Sequence, residues 1–222
     1  MPITRLARIL TLLGLLLSGA AIPLSAARAA GAAPAAQCFP ETGFCAQDRF
    51  LAYWQAHGGL AINGYPLTAE RRERLEDGNT YTVQYFERVR LEYHSENTPP
   101  QDVQLGQLGR RVHPADPPVA PDRDPYSTVR YFPETGHNVY ERLNGSGSRP
   151  AVFDVGFLAY WEANGGLDRF GYPISELRRE QLEDGRMYGV QYFERARFER
   201  IGDQISLGQL GRHVLAEVDA GR

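Results

Sequence analysis

Lysine is missing from this chain: all 24 basic residues are arginine, set against 27 aspartates and glutamates. The formal charge of −3 leaves no basic surplus to neutralise phosphates, which removes nucleic acid from the expected partners. Arginine still supplies planar, bidentate and stacking contacts that lysine cannot make. Cysteine is nearly absent too, with only Cys38 and Cys45 present. They can close one small loop but cannot staple a domain, and no further ligands at matching spacing suggest a metal centre. Catalytic signatures are also wanting: the sequence has no Gly-x-Ser-x-Gly elbow, no phosphate loop and no His-x-x-x-His pair. The expectation is a chain without cofactor, metal or catalytic residues.

Long apolar runs are equally scarce. Ile9 to Leu17 is the main one, and it falls short of the roughly twenty residues a membrane-spanning helix needs. Arg5 and Arg8 precede it and Ala27-Arg28-Ala29 follows it, so residues 1–29 read as a signal peptide with a small-x-small cleavage site. Its retention as an N-terminal anchor is the alternative. Cleavage removes Arg5, Arg8 and Arg28 and no acids, moving the formal charge from −3 to −6. The expected location is outside the cytoplasmic membrane, secreted or wall-associated, with no membrane contact after cleavage. In that oxidising compartment Cys38 and Cys45 are expected to form a disulfide rather than remain free thiols.

What the chain does have is a repeat of itself. Phe39-Pro-Glu-Thr-Gly43 returns as Phe132-Pro-Glu-Thr-Gly136, and Tyr53-Trp54, Gly58-Gly59-Leu60 and Gly64-Tyr65-Pro66 return as Tyr160-Trp161, Gly165-Gly166-Leu167 and Gly171-Tyr172-Pro173. Leu75-Glu-Asp-Gly78, Val83-Gln-Tyr-Phe-Glu-Arg88 and Leu105-Gly-Gln-Leu-Gly-Arg110 return as Leu182-Glu-Asp-Gly185, Val190-Gln-Tyr-Phe-Glu-Arg195 and Leu207-Gly-Gln-Leu-Gly-Arg212. An enzyme usually needs one asymmetric site, so two similar surfaces favour a bivalent binding or scaffolding role. Copy one spans 38–113 and copy two 130–214; the Pro-rich stretch 114–129 between them reads as a stiff, extended linker. Length differences fall after Gly136, around Asn144 to Pro150, and between Glu92 and Leu105, which marks those stretches as loops.

Within each copy the pattern predicts an α+β unit, one amphipathic helix followed by a hairpin-based antiparallel sheet. Asp48 to His57 and Asp154 to Asn164 set Phe50, Leu51 and Trp54, or Phe157, Leu158 and Trp161, on one helical face, and Gly58 or Gly165 supplies the stop. Asp77-Gly78 and Asp184-Gly185 are hairpin turns. Beyond them Tyr81 to Glu92 and Tyr188 to Glu199 alternate like strands. The Phe-Pro-Glu-Thr-Gly pentapeptides look like sortase signals, but no apolar span and basic tail follow either, so they read as Pro-directed turns.

The order Trp, Gly-Gly, Gly-Tyr-Pro-(Thr/Ser), Asp-Gly and Gln-Tyr-Phe-Glu resembles the LGFP repeat of secreted bacterial envelope proteins. The resemblance covers most of each copy. It implies attachment to the cell wall, with cell-wall glycan or peptidoglycan as partner.

Read as one continuous strand, each copy offers a candidate ligand face: Gln84, Phe86, Arg88, Arg90 and Glu92, and Gln191, Phe193, Arg195, Arg197 and Glu199. An aromatic ring beside planar donors and a carboxylate suits a sugar polymer. The same residues also fit a solvated strand face with cross-strand ion pairs, and a turn near Arg88-Val89 would shift the phase after Glu87 and dissolve the grouping. Glu87 and Glu92 lie an odd number apart, so on one strand they face opposite ways and cannot flank a glycosidic bond. Three functions follow in order: a non-catalytic envelope-polysaccharide binder, a protein-interaction module of the envelope, and a wall-polymer hydrolase.

Overall fold

Each Phe-Pro-Glu-Thr-Gly folds the chain back on itself. The Phe39 carbonyl accepts hydrogen bonds from the amides of Thr42 (3.2 Å) and Gly43 (2.8 Å), and the Phe132 carbonyl from Thr135 (3.3 Å) and Gly136 (2.8 Å). The turns close two short hairpins, β1 (Ala36–Phe39) with β2 (Phe44–Gln47), and β7 (Thr128–Phe132) with β8 (His137–Arg142). Cys38 and Cys45 are direct cross-strand partners in the first and are joined by a disulfide. Tyr131 and Asn138 hold the corresponding places in the second. The computed structural model describes residues 36–143 and 155–221. The signal segment 1–29, the loop at Asn144 to Pro150 and the expected helix start at Asp154 lie outside them.

The chain is α+β, with helices and antiparallel sheets in the same series in each half. The first helix, α1 (Asp48–Ala56), buries Phe50, Leu51 and Trp54, the apolar stripe that its sequence spacing dictates. Its counterpart α4 (Phe157–Ala163) buries Phe157 and Trp161. The Gly58-Gly59 pair then breaks the helix, and a second short helix, α2 (Gly59–Asn63), follows; Gly165-Gly166 and α5 (Gly166–Phe170) repeat this. A further helix ends each half, α3 (Leu108–Val112) and α6 (Leu210–Asp219). The expectation of one helix per copy is therefore corrected to three: α1 and α4 stop before Gly58 and Gly165 as expected, but α2 and α5 start directly beyond them, and α3 and α6 follow the last strand of each sheet.

Each half also has a four-stranded antiparallel sheet. In chain order the strands are β3 (Arg71–Arg74), β4 (Thr80–Tyr85), β5 (Arg90–Tyr93) and β6 (Val103–Leu105), matched by β9 (Arg178–Gln181), β10 (Met187–Tyr192), β11 (Arg197–Ile201) and β12 (Gln204–Leu207). Asp77-Gly78 and Asp184-Gly185 turn the first hairpin of each sheet, with Gly78 and Gly185 donating to the carbonyls of Leu75 and Leu182 at 2.9 Å. Among the described residues no helix is long and apolar enough to cross a membrane.

The two halves interlock. Helix α6 of the second half packs on the first sheet, where Leu210 and Val214 join Val83, Tyr85 and Leu108 in one core. Val112 of α3 joins Ile174, Leu182, Val190 and Tyr192 of the second half. The Leu-Gly-Gln-Leu-Gly-Arg motif explains how. A Cβ on Gly109 would sit 1.8 Å from the Phe193 carbonyl oxygen, and one on Gly211 1.9 Å from that of Phe86. The amides of Arg110 and Arg212 then donate to the carbonyls of Glu194 and Glu87 (both 3.1 Å), and each guanidinium reaches the same glutamate's carboxylate at 2.7 Å. The described residues accordingly belong to one compact unit.

The stretch 114–129 lies against the second half. Asp116 and Val119 donate backbone hydrogen bonds to Ile174 (2.9 Å) and Gly136 (2.8 Å), the Asp122 amide donates to the Asn138 side chain (3.0 Å), and Asp116 pairs with Arg178. The stretch expected as a stiff, extended linker is thus held by these contacts to the second half.

Candidate twin clefts

The strand expected to run from Tyr81 to Glu92 stops at Tyr85. The Phe86 amide donates to the Val89 carbonyl at 2.8 Å, and Tyr85 pairs with Arg90, Gln84 with Leu91 and Val83 with Glu92. Directly opposed residues share a face. Val83, Tyr85, Arg90 and Glu92 therefore lie on one face and Gln84 with Leu91 on the other. In the second half the pairs are Tyr192 with Arg197, Gln191 with Phe198 and Val190 with Glu199.

This overturns the ligand face assembled from the sequence. Phe86 and Phe193 are 0% exposed, sealed in the apolar cores of their own halves. Gln84 and Gln191 are also buried, donating to the carbonyls of Cys45 and Thr68 and of Asn138 and Ser175. Arg88 and Arg195 lie in the turns, where they contact the carbonyls of Leu60 (3.1 Å) and Leu167 (3.5 Å). Of the proposed five, only Arg90 with Glu92, and Arg197 with Glu199, remain together, and they are buried. Two turn residues, Glu87 and Arg88, reversed the phase that a continuous strand would have kept.

Glu87 and Glu194 have another task. Each accepts a hydrogen bond from the amide of Tyr65 (3.2 Å) or Tyr172 (3.1 Å) and an ion pair from the opposite half's arginine. The carboxylate is admitted by Gly64 or Gly171, where an added Cβ would fall 2.6 Å from Glu87 Cβ or 2.3 Å from Glu194 Oε2. Both glycines also have φ in the left-handed region, +79° and +74°. The carbonyls of the same glycines accept from Trp54 and Trp161 Nε1–H at 2.9 and 3.1 Å.

Arg90 is the floor of a cleft. Its guanidinium donates to Glu92 Oε1 through Nε (2.8 Å), to Glu76 Oε2 through Nη2 (2.7 Å) and to the Tyr85 hydroxyl through Nη1 (3.3 Å). Arg197 repeats the arrangement with Glu199 (2.8 Å) and Glu183 (3.1 Å). Gly106 and Gly208 make room for it, since a Cβ there would meet Glu92 Oε1 at 2.4 Å or Glu199 Oε1 at 2.6 Å. Above each arginine the surface opens into a cleft, about 520 Å³ in the first half and about 470 Å³ in the second.

The two clefts share their walls. Leu75, Glu76, Asp77, Tyr81, Arg90, Glu92, Gln107 and Arg110 line the first; Leu182, Glu183, Asp184, Tyr188, Arg197, Glu199, Gln209 and Arg212 line the second. At the rims the Tyr81 hydroxyl donates to Asp77 (2.8 Å) and the Tyr188 hydroxyl to Asp184 (2.6 Å). They differ where His94 and Arg111 are replaced by Ile201 and His213; Gln104, Leu105 and Arg195 line only the first cleft, and Ala216 only the second. Sequence reasoning passed over the tyrosine, the aspartate and the Gln-x-x-Arg of these walls. The signal was present in the repetition of Leu-Glu-Asp-Gly and Leu-Gly-Gln-Leu-Gly-Arg, but turn chemistry alone had accounted for the first.

The ionic floor makes an acid-sensitive element. Burial raises the pKa of Glu76, but hydrogen bonds and charge from Arg90, with help from Arg111, outweigh it and hold the carboxyl at about 2. A folded pKa below the ordinary 4.5 means stabilisation that is full above that value and is lost as pH falls toward about 2. With a half-exposed carboxylate, solvent screening cuts this to about 1 kcal/mol. The stability gap between wild type and Glu76→Gln, followed by urea midpoints, should narrow by that amount on acidification. A gap independent of pH would refute the assignment. Glu183 is lowered likewise by its backbone hydrogen bond and Arg197 against burial, whereas burial raises Glu199.

No protein-family model matches this chain, and no curated protein matches it either.

Proposed function

We propose that this protein is a secreted, non-catalytic module, built from a duplicated unit, that binds cell-envelope polysaccharide or peptidoglycan through its twin clefts. The observation that carries the reading is the identity of eight wall residues at matching positions of the two clefts. A half-buried tyrosine gives each cleft an amphipathic aromatic surface, and Gln, Asp and Arg give it planar donors and acceptors for hydroxyl groups. The resemblance to LGFP repeats points to the same class of partner. The disulfide fits an oxidising compartment. With the halves packed together, two weak sites at fixed spacing would bind a repeating polymer with an avidity beyond either alone.

Tyr81→Leu with Tyr188→Leu keeps the apolar contact beneath each ring and removes the aromatic face. The double variant should lose sedimentation with insoluble wall material by roughly a hundredfold, the lower end of a bivalent gain, with each single variant intermediate. Undiminished sedimentation with both tyrosines replaced would remove the clefts from the reading.

One observation speaks to a hydrolase instead: in the second cleft Glu183 and Glu199 are shifted in opposite directions, as in acid–base pairs. However, Arg197 Nη2 touches both carboxylates, Glu183 at 3.1 Å and Glu199 at 2.7 Å. A hydrolase needs the space between its carboxylates for the scissile bond and a water. The guanidinium fills that space, which favours binding over cleavage. Release of soluble fragments from purified wall by the wild type, abolished by Glu199→Gln, would reverse the preference. A protein partner in place of a glycan would instead appear as stoichiometric co-purification without wall retention.

A further inference from the structure

Arg169 is a buried cation without a carboxylate. It lies in α5 and is 7% exposed, and no described Asp or Glu comes within ion-pair distance of it. Its Nη1 has no hydrogen-bond partner, and no described aromatic ring stacks on its guanidinium. A buried, unpaired guanidinium costs several kcal/mol, so an unliganded structural role is a poor account of it.

The fold itself does not ask for a charge there. The equivalent position of the first half is Ile62, in Gly59-Leu-Ala-Ile-Asn63 against Gly166-Leu-Asp-Arg-Phe170, and Ile62 packs in an apolar core. Arg169 instead lines a cleft of about 420 Å³ between the halves, with Tyr53 and His57 of the first and Asn164 and Asp168 of the second. Tyr53 stacks on His57 with ring centroids 3.9 Å apart, so the wall opposite Arg169 is flat and amphipathic. The field in the cleft is positive at its buried end, while Asp168 is exposed at the rim. A single negative charge fits that pattern better than a doubly charged phosphate, which Asp168 would repel.

We propose that this inter-half cleft is a carboxylate-binding site, with Arg169 as the buried anchor for one carboxylate of a small acidic ligand or chain end. The site is separate from the twin clefts and does not depend on their reading. A planar guanidinium matches a carboxylate in a two-pronged hydrogen bond, and the Tyr53–His57 wall would take the attached group. Acidic sugars and peptide carboxyl ends share this chemistry.

The test is thermal unfolding of the protein titrated with acetate at constant ionic strength, chloride replacing it. Wild type should gain roughly 3–6 °C at ten times the half-saturating concentration. Arg169→Ile, which copies the first half, should melt no lower than wild type in chloride and show no acetate response. The Arg169 guanidinium resonances of the wild type, followed by NMR, should shift along the same saturation curve, so the proposal remains testable if the variant fails to fold. Glucuronate and N-acetylglycine then distinguish an acidic sugar from a peptide end by which binds more tightly. An equal acetate response in Arg169→Ile, or guanidinium signals that acetate leaves in place, would overturn the site.

Discussion

Gly109→Ala should destabilise the protein by about 3 kcal/mol, the upper end of what one extra methyl costs in a well-packed interior. The new Cβ would lie 1.8 Å from the Phe193 carbonyl oxygen, and that atom belongs to the backbone of a tight turn and cannot swing aside. Relief requires α3 to lift off the second half. Lifting it strains the Arg110–Glu194 backbone bond (3.1 Å) and the ion pair beside it (2.7 Å). Gly211→Ala does the same to the first half through the Phe86 carbonyl at 1.9 Å. Because both act on one interface, the double variant should depart from the sum of the singles. Gly185→Ala is the control: nothing lies within 4 Å of its added Cβ, and only the left-handed backbone at φ +78° is taxed, at roughly 1–2 kcal/mol. Chemical denaturation of the three variants decides the matter. Were Gly109→Ala no worse than the control, the halves would not be locked by these glycines.

Arg90→Ala should cost about 3–5 kcal/mol, the usual penalty for stranding buried charge. The substitution removes the guanidinium that binds both Glu92, 7% exposed, and Glu76, leaving Glu92 only His94 (3.2 Å) and Glu76 only Arg111 (3.0 Å). The variant should also carry a signature that simple loss of packing lacks. Without Arg90 the folded pKa of Glu76 rises back toward its ordinary value, so the variant loses less stability than wild type as pH falls. Wild type, with Glu76 held at about 2, loses this contribution in full over the same range. Arg90→Lys should restore little, because one ammonium cannot reach two carboxylates and a tyrosine hydroxyl in the planar geometry used here. Urea midpoints of wild type and variant from neutral to mildly acidic pH would test this. Parallel pH profiles would show that the two carboxylates do not depend on Arg90.

Local chemistry was legible in the sequence and long-range chemistry was not. The stripe Phe50, Leu51, Trp54 gave a helix with its buried face, and Asp77-Gly78 gave a hairpin, because three- and four-residue spacings and turn residues act within a few positions. Cys38 and Cys45 gave a disulfide. Period-two alternation ran on through Phe86-Glu-Arg-Val89 because that turn contains no Gly, Pro or Asn to mark it. The error placed Phe86 and Phe193 in solvent and split Arg90 and Glu92 from Tyr85, whose face they share. A buried arginine reads as a surface residue until its carboxylates are in view. The glycines of Leu-Gly-Gln-Leu-Gly-Arg could be recognised as repeated, but their reason lies in the opposite half.

The exchange of terminal helices has a consequence for the order in which this chain can finish folding. The turn at Phe86–Val89 meets its partner only in residues 209–214, and the Arg212–Glu87 pair spans 125 positions. Synthesis delivers that partner 125 positions after the glutamate it pairs with. Until it does, the first half has an unfinished edge, and a chain cut short before α6 leaves a defect at the distant Phe86–Val89 turn as well as at the cut.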